Sequence, residues 1–258
     1  MLMIKEEICH TAGTVLEGMT SISALLSARE AGINNRPIRE ILFDSAKKEK
    51  KAREFGFLAA KCRMLDVPLS LVTAAEIDAL ASGNTHGGVV ALCGERTLPV
   101  PTPENLPENG FLCLLEGIED PYNFGYAVRS LYAAGVDAIL VGERNWLSAA
   151  GVVARASAGA SEALPMLAGD VNTALEAART RGYRVVCAGI RDAVSYLDAD
   201  LSRPLVLVVG GEKRGISAGI LASADAVVRI DYGRSFRGSL STASAATVLG
   251  FEVLRQNK

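Results

Sequence analysis

The sequence has little that would mark a membrane, a metal centre or a disulfide scaffold. No apolar run among its 258 residues approaches the roughly 20 needed to span a bilayer. The start, Met1 to His10, carries Lys5, Glu6 and Glu7 where a signal peptide needs an apolar core, so neither membrane nor export is expected. The five cysteines (Cys9, Cys62, Cys93, Cys113, Cys187) are scattered without a C-x-x-C pair, which speaks against zinc ribbons and disulfide frameworks and for a reducing, cytoplasmic setting. Two histidines, His10 and His86, are too few and too far apart for a histidine-rich metal site, and no metal is expected. The net charge of −2 shows no basic excess, so any nucleic-acid surface must be a local patch.

What the chain does have is apolar mass. A hydrophobic fraction of 49% is ample for a buried core and excludes disorder. Pro99, Pro101, Pro103 and Pro107, with Asn105 and Asn109, make Thr97 to Gly110 the clearest boundary, and proline's fixed φ predicts an extended linker. The expected domains are 1–96, a linker over 97–110, and 111–258. In the first, Thr20–Ala31 has helical spacing closed by Gly32, Ile38–Phe43 suits a strand, and Ser45 can cap a long helix reaching Leu65. Thr73 and Glu76 have capping-box spacing, and Gly88–Cys93 reads as a strand. In the last, strands are predicted at 111–115, 138–141, 184–188, 205–209 and 226–230, and helices at 124–134, 171–181 and 242–256. Continuous apolar runs such as Leu205 to Val209 imply burial on both faces, hence an α/β fold with a mainly parallel sheet.

Three segments stand where strands give way to loops or helices, the positions where α/β folds put their chemistry. Glu116 to Gly125, running on to Arg129, contains a turn in which Asn123 can cap the following helix. Arg129 is either a solvated helix residue or a donor fork for a phosphate or hydroxyl, and spacing favours neither. Gly210-Gly211-Glu212-Lys213-Arg214-Gly215 ends a buried strand; it is either a tight turn or a place for a ligand to approach the backbone. It is not a Walker A loop, and it lies too late for a dinucleotide fingerprint, which leaves a nicotinamide-dependent oxidoreductase poorly supported. Ser239 to Ala246 offers hydroxyls that a helix cap would explain equally well. Lys47, Lys48, Lys50, Lys51 and Arg53, with Lys61 and Arg63, form a basic cluster that is either a solvated helix face or a phosphate contact.

In combination and order, these segments resemble the SpoU (TrmH-like) family of SPOUT RNA methyltransferases. The first motif is matched by Asp120, Pro121, Asn123, Gly125, Arg129 and Ala133 to Val136. The second is matched by Gly210, Glu212, Gly215 and Ile216, and the third by Ile230, Ser239-Leu240, Ala245-Ala246 and the closing Glu252 to Gln256. His86 to Ala91 resembles the ending of the family's substrate-binding domain, a ribosomal-protein-like (L30e-like) α/β sandwich. The resemblance implies S-adenosylmethionine-dependent methylation of a ribose 2′-hydroxyl in rRNA or tRNA, a deep trefoil knot, and a homodimer. It implies cofactor contacts at Ala188, Gly189, Gly210, Ile230 and Leu240, catalytic roles for Arg129, Asn123, Glu212 and Ser241, and RNA contact by Lys47, Lys48, Lys50, Lys51 and Arg53. One departure is visible: the usual Ser-Leu-Asn of the third motif reads Ser239-Leu240-Ser241, and the loop before it, Asp231 to Gly238, is about one residue longer and carries Arg234 and Arg237. That departure supports an alternative, an RNA-binding protein that keeps the fold with impaired catalysis.

Overall fold

The computed structural model describes residues 13–83, 85–142 and 149–258; Cys9 and His10 lie outside the described residues. The chain divides into two compact units, one of residues 1–97 and 145–163, the other of 98–144 and 164–258.

In the first unit, β1 (Thr14–Glu17), α1 (Met19–Glu30), β2 (Ile38–Asp44), α2 (Ala52–Leu65), β3 (Leu69–Val72), α3 (Ala74–Leu80) and β4 (Val89–Cys93) build a four-stranded sheet of order β1-β4-β2-β3. β4 runs antiparallel to both neighbours, and β2 and β3 are parallel. Leu16, Ile22, Leu25, Leu26, Ile41, Phe43 and Leu58 fill its core. The expected long helix from Ser45 is broken. Ser45–Lys47 forms a 3-10 turn and α2 begins only at Ala52. The cap is Asp44, whose carboxylate accepts from the Ala46 N–H, because its buried position at the strand end aims the acceptor into the turn. The Thr73–Glu76 capping box is present.

The same unit includes α5 (Ala150–Ala156) and α6 (Ala160–Ala163), which in sequence belong to the span expected to form one C-terminal domain. Helix α5 packs on β1 and α6 on α1. The fit is close: a Cβ at Gly151 would lie 2.4 Å from the Val15 carbonyl oxygen. The anchor is electrostatic. Arg36 makes a bidentate pair with Glu162 at 2.9 and 3.1 Å, and Asn34 donates to the same carboxylate at 2.8 Å, all three residues being buried. Arg96 donates to the Ser161 carbonyl at 2.8 Å. A buried carboxylate with three donors is compensated for the water it lost, which an isolated one would not be.

The second unit contains, in chain order with the helices between, β5 (Phe111–Glu116), α4 (Pro121–Ala133), β6 (Ala138–Val141), β7 (Met166–Ala168), α7 (Val171–Thr180), β8 (Arg184–Ala188), β9 (Val194–Ser195), β10 (Leu205–Gly210), α8 (Ala218–Ser223), β11 (Ala226–Arg229) and α9 (Thr242–Gln256). Among the described residues its sheet has seven strands in the order β7-β6-β5-β10-β8-β11-β9, and every pairing is parallel. The continuous apolar strands are buried at its centre as their composition requires. The proline-rich stretch is no free linker: from Leu98 onward it belongs to this unit. Leu106 is buried in the core, the Tyr183 hydroxyl donates to the Pro107 carbonyl and accepts from the Gly110 N–H, and Ala168 N–H donates to the Pro99 carbonyl. Prolines lose one donor each, but their carbonyls remain acceptors and are used.

Candidate active site

All strands of the second sheet run in one direction, so the carboxyl ends of β5, β10, β8 and β11 lie side by side and bring the three sequence segments to one edge. The first enters α4. Its cap is Asp120, which accepts from the N–H groups of Tyr122 and Asn123; Asn123, read from sequence as a possible cap, sits inside the first turn. That releases the Asn123 amide, which donates to Glu212 Oε1 at 3.0 Å, across 89 residues. The second segment is pinned at both ends. Gly211 N–H donates to the Glu116 carbonyl at 2.7 Å, and the Glu116 carboxylate accepts from Ser217 N–H. Gly211 is a glycine because a Cβ there would fall 2.2 Å from the Gly117 carbonyl oxygen. The third segment is spliced onto the second: Thr242 Oγ1 donates to the Gly210 carbonyl at 3.0 Å. Ser241 caps α9, accepting from the Ser244 N–H.

These loops enclose a cleft of about 410 Å³ lined by Gly117, Ile118, Glu119, Asp120, Pro121, Asn123, Glu212, Lys213 and Thr242. Lys213 is held at 2.6 Å by Glu119. Asn123 and Glu212 are thus brought together; Ser241 lies one residue from the lining at Thr242. Arg129 is not part of the lining. It sits about 9 Å further along α4 on the solvent face and makes no hydrogen bond or ion pair with a described residue. Tyr122, Tyr126 and Tyr132 share its exposed side of the helix, and Phe251 is exposed on α9, which packs against α4.

Ala188, Gly189, Gly210, Ile230 and Leu240 are each half-buried, at or just beyond the ends of β8, β10 and β11 and before α9. Gly210 and Gly189 are approached closely by the chain itself: a Cβ would fall 2.4 Å from the Gly215 carbonyl carbon at the first and 2.7 Å from a Val227 methyl at the second. Burial pushes Cys93 and Cys187 up to about 12 and also raises Cys62 and Cys113, so these thiols stay protonated. Among the described residues no group of three or more His, Cys, Asp and Glu side chains could hold a metal ion, and no helix is long and apolar enough to cross a membrane.

In the first unit the basic cluster divides. Lys47 pairs with Asp44 at 3.5 Å and lies against Gly88; Lys51 pairs with Glu54 at 2.9 Å; Lys48 lies 4.9 Å over the Phe55 ring. Lys50 and Arg53 are exposed with no ion pair to a described residue. His86 Nδ1 accepts from the Gly88 N–H, and Nε2 faces Asp78 at 3.0 Å, which makes it a loop-ordering residue. The Asn34–Arg36–Glu162 cluster had no sequence signal, because Glu162 lies 128 and 126 residues from the other two and the three show no motif.

An α/β domain with a polar pair in a cleft at the carboxyl ends of a parallel sheet defines a class of enzyme, and comparison with known proteins narrows it. Residues 110–251 match the SpoU rRNA methylase family model, and residues 15–99 match that of the RNA 2′-O ribose methyltransferase substrate-binding domain. The 23S rRNA (guanosine-2′-O-)-methyltransferase RlmB of a Burkholderia species is 30% identical over 249 residues, covering 94% of this chain and 96% of that protein. RlmB of Bordetella pertussis is 28% identical over 245 residues, covering 93% and 98%. The crystal structure of an RNA 2′-O ribose methyltransferase superposes with a TM-score of 0.72 at 26% identity, covering 94% of this chain and 88% of that one. An AdoMet-bound rRNA methyltransferase from Sinorhizobium meliloti shares the fold, with a TM-score of 0.79 at 21% identity over 98% and 94% of the two chains. The chain belongs to the SpoU rRNA methylase family.

Proposed function

We propose that this protein transfers a methyl group from S-adenosylmethionine to a ribose 2′-hydroxyl of rRNA or tRNA. The observation that carries the reading is the Asn123–Glu212 hydrogen bond at 3.0 Å in a cleft closed by Thr242, at the edge where Ala188, Gly189, Gly210, Ile230 and Leu240 are half-buried. When bound, S-adenosylmethionine supplies an electrophilic methyl group on a sulfonium. Asn123 fixes one oxygen of Glu212, leaving the other to accept a hydrogen bond from a substrate hydroxyl. Arg129 lies outside the cleft of its own chain and is nearly always protonated, so its part is to reach the cleft of a second copy across the α4 face and stabilise the oxyanion charge that develops on the ribose oxygen. The remainder is positioning: a nucleophile held in line, with little water, loses most of its entropic barrier.

Tyr122, Tyr126 and Tyr132 of α4, with Arg129 and with Phe251 of α9, form an exposed face that a second copy of the chain would cover, which supports a homodimer with Arg129 at the interface. The first unit is the RNA substrate-binding part, of L30e-like type, with Lys50 and Arg53 free for phosphates and Lys47, Lys48 and Lys51 flanking them. The passage of the chain from β11 through Leu240 into α9 is the trefoil knot of this family. An RNA substrate of this kind sets the enzyme in the cytoplasm.

The test is transfer of labelled methyl from S-adenosylmethionine to total rRNA and tRNA lacking the modification, followed by nucleoside analysis for 2′-O-methyl product. Wild type is expected to label one of them, and Asn123→Ala to lose about 100-fold or more in rate while still binding the cofactor. Calorimetry with Leu240→Arg, which fills the pocket, is expected to show no cofactor binding. The second reading, an RNA-binding protein with impaired catalysis, is favoured by one observation: Ser241 spends its hydroxyl on the α9 cap. Cofactor binding without transfer to any RNA would select it.

A further inference from the structure

The loop Asp231 to Gly238 runs from β11 toward α9, and every one of its residues is exposed. It is nevertheless ordered by contacts at both ends. Ser195, then Arg229, hold the Asp231 carboxyl below its ordinary pKa, Arg229 Nε lying 2.9 Å away. The Tyr232 hydroxyl accepts from the Leu240 N–H at 3.2 Å and so closes the loop two residues before Thr242, which lines the cleft. Between these anchors stand two aromatic rings and two cations. Phe236 is 58% exposed and Tyr232 40%, their centroids 5.8 Å apart at 60°. Phe236 is set by Gly238, where a Cβ would come within 2.5 Å of its ring. Arg234 and Arg237 make no ion pair or hydrogen bond with any described residue.

Resting on the ribose-methyltransferase reading, we propose that this loop is a nucleobase platform for single-stranded RNA beside the cleft. Phe236, backed by Tyr232, stacks on a base, and Arg234 and Arg237 engage the flanking phosphates. The pieces match the ligand. An exposed phenyl ring held on a glycine offers an open face with little rotamer entropy left to lose, and alternation of aromatic and arginine side chains is the chemistry that binds unpaired nucleotides. Duplex RNA buries its base faces in its own stack and cannot use such a ring. The platform therefore selects a loop, bulge or extruded nucleotide, and adjacency to Thr242 delivers the neighbouring ribose to Glu212.

The experiment is fluorescence anisotropy with the whole protein and a labelled single-stranded oligoribonucleotide of about twelve residues, compared with its duplex, without S-adenosylmethionine. Phe236→Ala is expected to weaken single-strand binding by about 5- to 150-fold, Phe236→Trp to hold it near wild type, and duplex binding to stay unchanged. Replacing Arg234 and Arg237 together by Ala should reduce the slope of log affinity against log salt by about 1.4. Cofactor affinity by calorimetry should not move in any of these variants. The proposal is overturned if wild type and Phe236→Ala bind the single strand equally, or if Phe236→Ala loses cofactor affinity alone, which would give the ring to the adenine of S-adenosylmethionine. Because RNA binding is read without cofactor, a wild type that bound RNA through Phe236 yet transferred no methyl would sink the enzymatic reading and leave the platform standing.

Discussion

Gly211→Ala tests whether the cleft depends on backbone contact between its loops. The added Cβ would lie 2.2 Å from the Gly117 carbonyl oxygen, 2.7 Å from its carbon and 3.1 Å from the Ile118 nitrogen. All three are main-chain atoms, so no side-chain rotation relieves the clash. To restore a tolerable 3.0 Å the two loops must part by roughly 0.8 Å. Glu212 is the next residue and Asn123 lies beyond the opposing loop, so the separation falls directly on their 3.0 Å hydrogen bond. A displacement of about 1 Å in a reacting geometry costs about 100-fold in rate. Overpacking of this kind costs about 1–3 kcal/mol, which lowers the melting temperature by about 2–4 °C per kcal/mol. The assay is methyl transfer at saturating S-adenosylmethionine alongside thermal denaturation. Gly219→Ala is the control: nothing lies within 4 Å of its Cβ and it sits inside α8, so it should melt no lower than wild type and keep full activity. If Gly211→Ala matched wild type in both rate and melting temperature, the loops would not be in contact as described and the geometric account of the cleft would fail.

Other expectations follow from burial and charge. Glu162→Gln leaves the Arg36 guanidinium buried without its counter-ion, at a cost of about 3–5 kcal/mol, and proteolysis should cut the first unit before the second. Hydrogen bonding from Arg255 holds the Glu252 carboxyl below its ordinary value of 4.5, and Ser195, then Arg229, do the same for Asp231 below 3.8. Their folded pKa values lie below the unfolded ones, so this stabilisation is complete above that range and is lost as pH falls through the depressed values. Denaturant titrations from about pH 5 down to about pH 2 should show the loss, and Glu252→Gln should flatten it. In a Cys9→Ser background no thiol should react with a disulfide reagent until the protein unfolds, because Cys62, Cys93, Cys113 and Cys187 are buried with raised pKa values.

The elements legible in the sequence are those that carry their own reason. Leu205 to Val209 can only be a strand buried on both faces, and α9 spans Thr242–Gln256 as its spacing predicts. Elements that depend on distant partners were not legible. β7 has three residues at the sheet edge, and α5 and α6 are only seven and four residues long, rich in alanine and too short to show an apolar period. Their place in the first unit depends on Glu162 meeting Asn34 and Arg36. The caps show the same limit on a smaller scale. Asp120 and Asn123 are both competent caps, and what separates them is Glu212, 89 residues away, which gives the Asn123 amide another partner. Asp44 displaces Ser45 as a cap because burial fixes its carboxylate at the strand end.

The third motif is where sequence and geometry bear most directly on chemistry. An asparagine at position 241 would offer an amide donor as well as an acceptor. Ser241 offers one hydroxyl, and it is occupied: its oxygen accepts from the Ser244 N–H at 3.2 Å and lies 3.0 Å from the Ser244 hydroxyl. Thr242 is occupied too, donating to the Gly210 carbonyl. Thr242 thereby fastens the third segment to the second at the cleft wall, while Ser241 spends its hydroxyl within its own segment, on the start of α9. The amide donor within the cleft is Asn123, from the first segment, and its acceptor is Glu212, from the second. On the function proposed above, catalysis would rest on that pair and on Arg129, while Ser241 serves to start α9. The arginines and aromatics of Asp231 to Gly238 stand immediately before the altered residue. If the loop grips the substrate as proposed, that grip would be a physically sufficient substitute for the hydrogen bond an asparagine at position 241 would offer, since binding energy at a remote part of a substrate can offset the cost of orienting its reactive part.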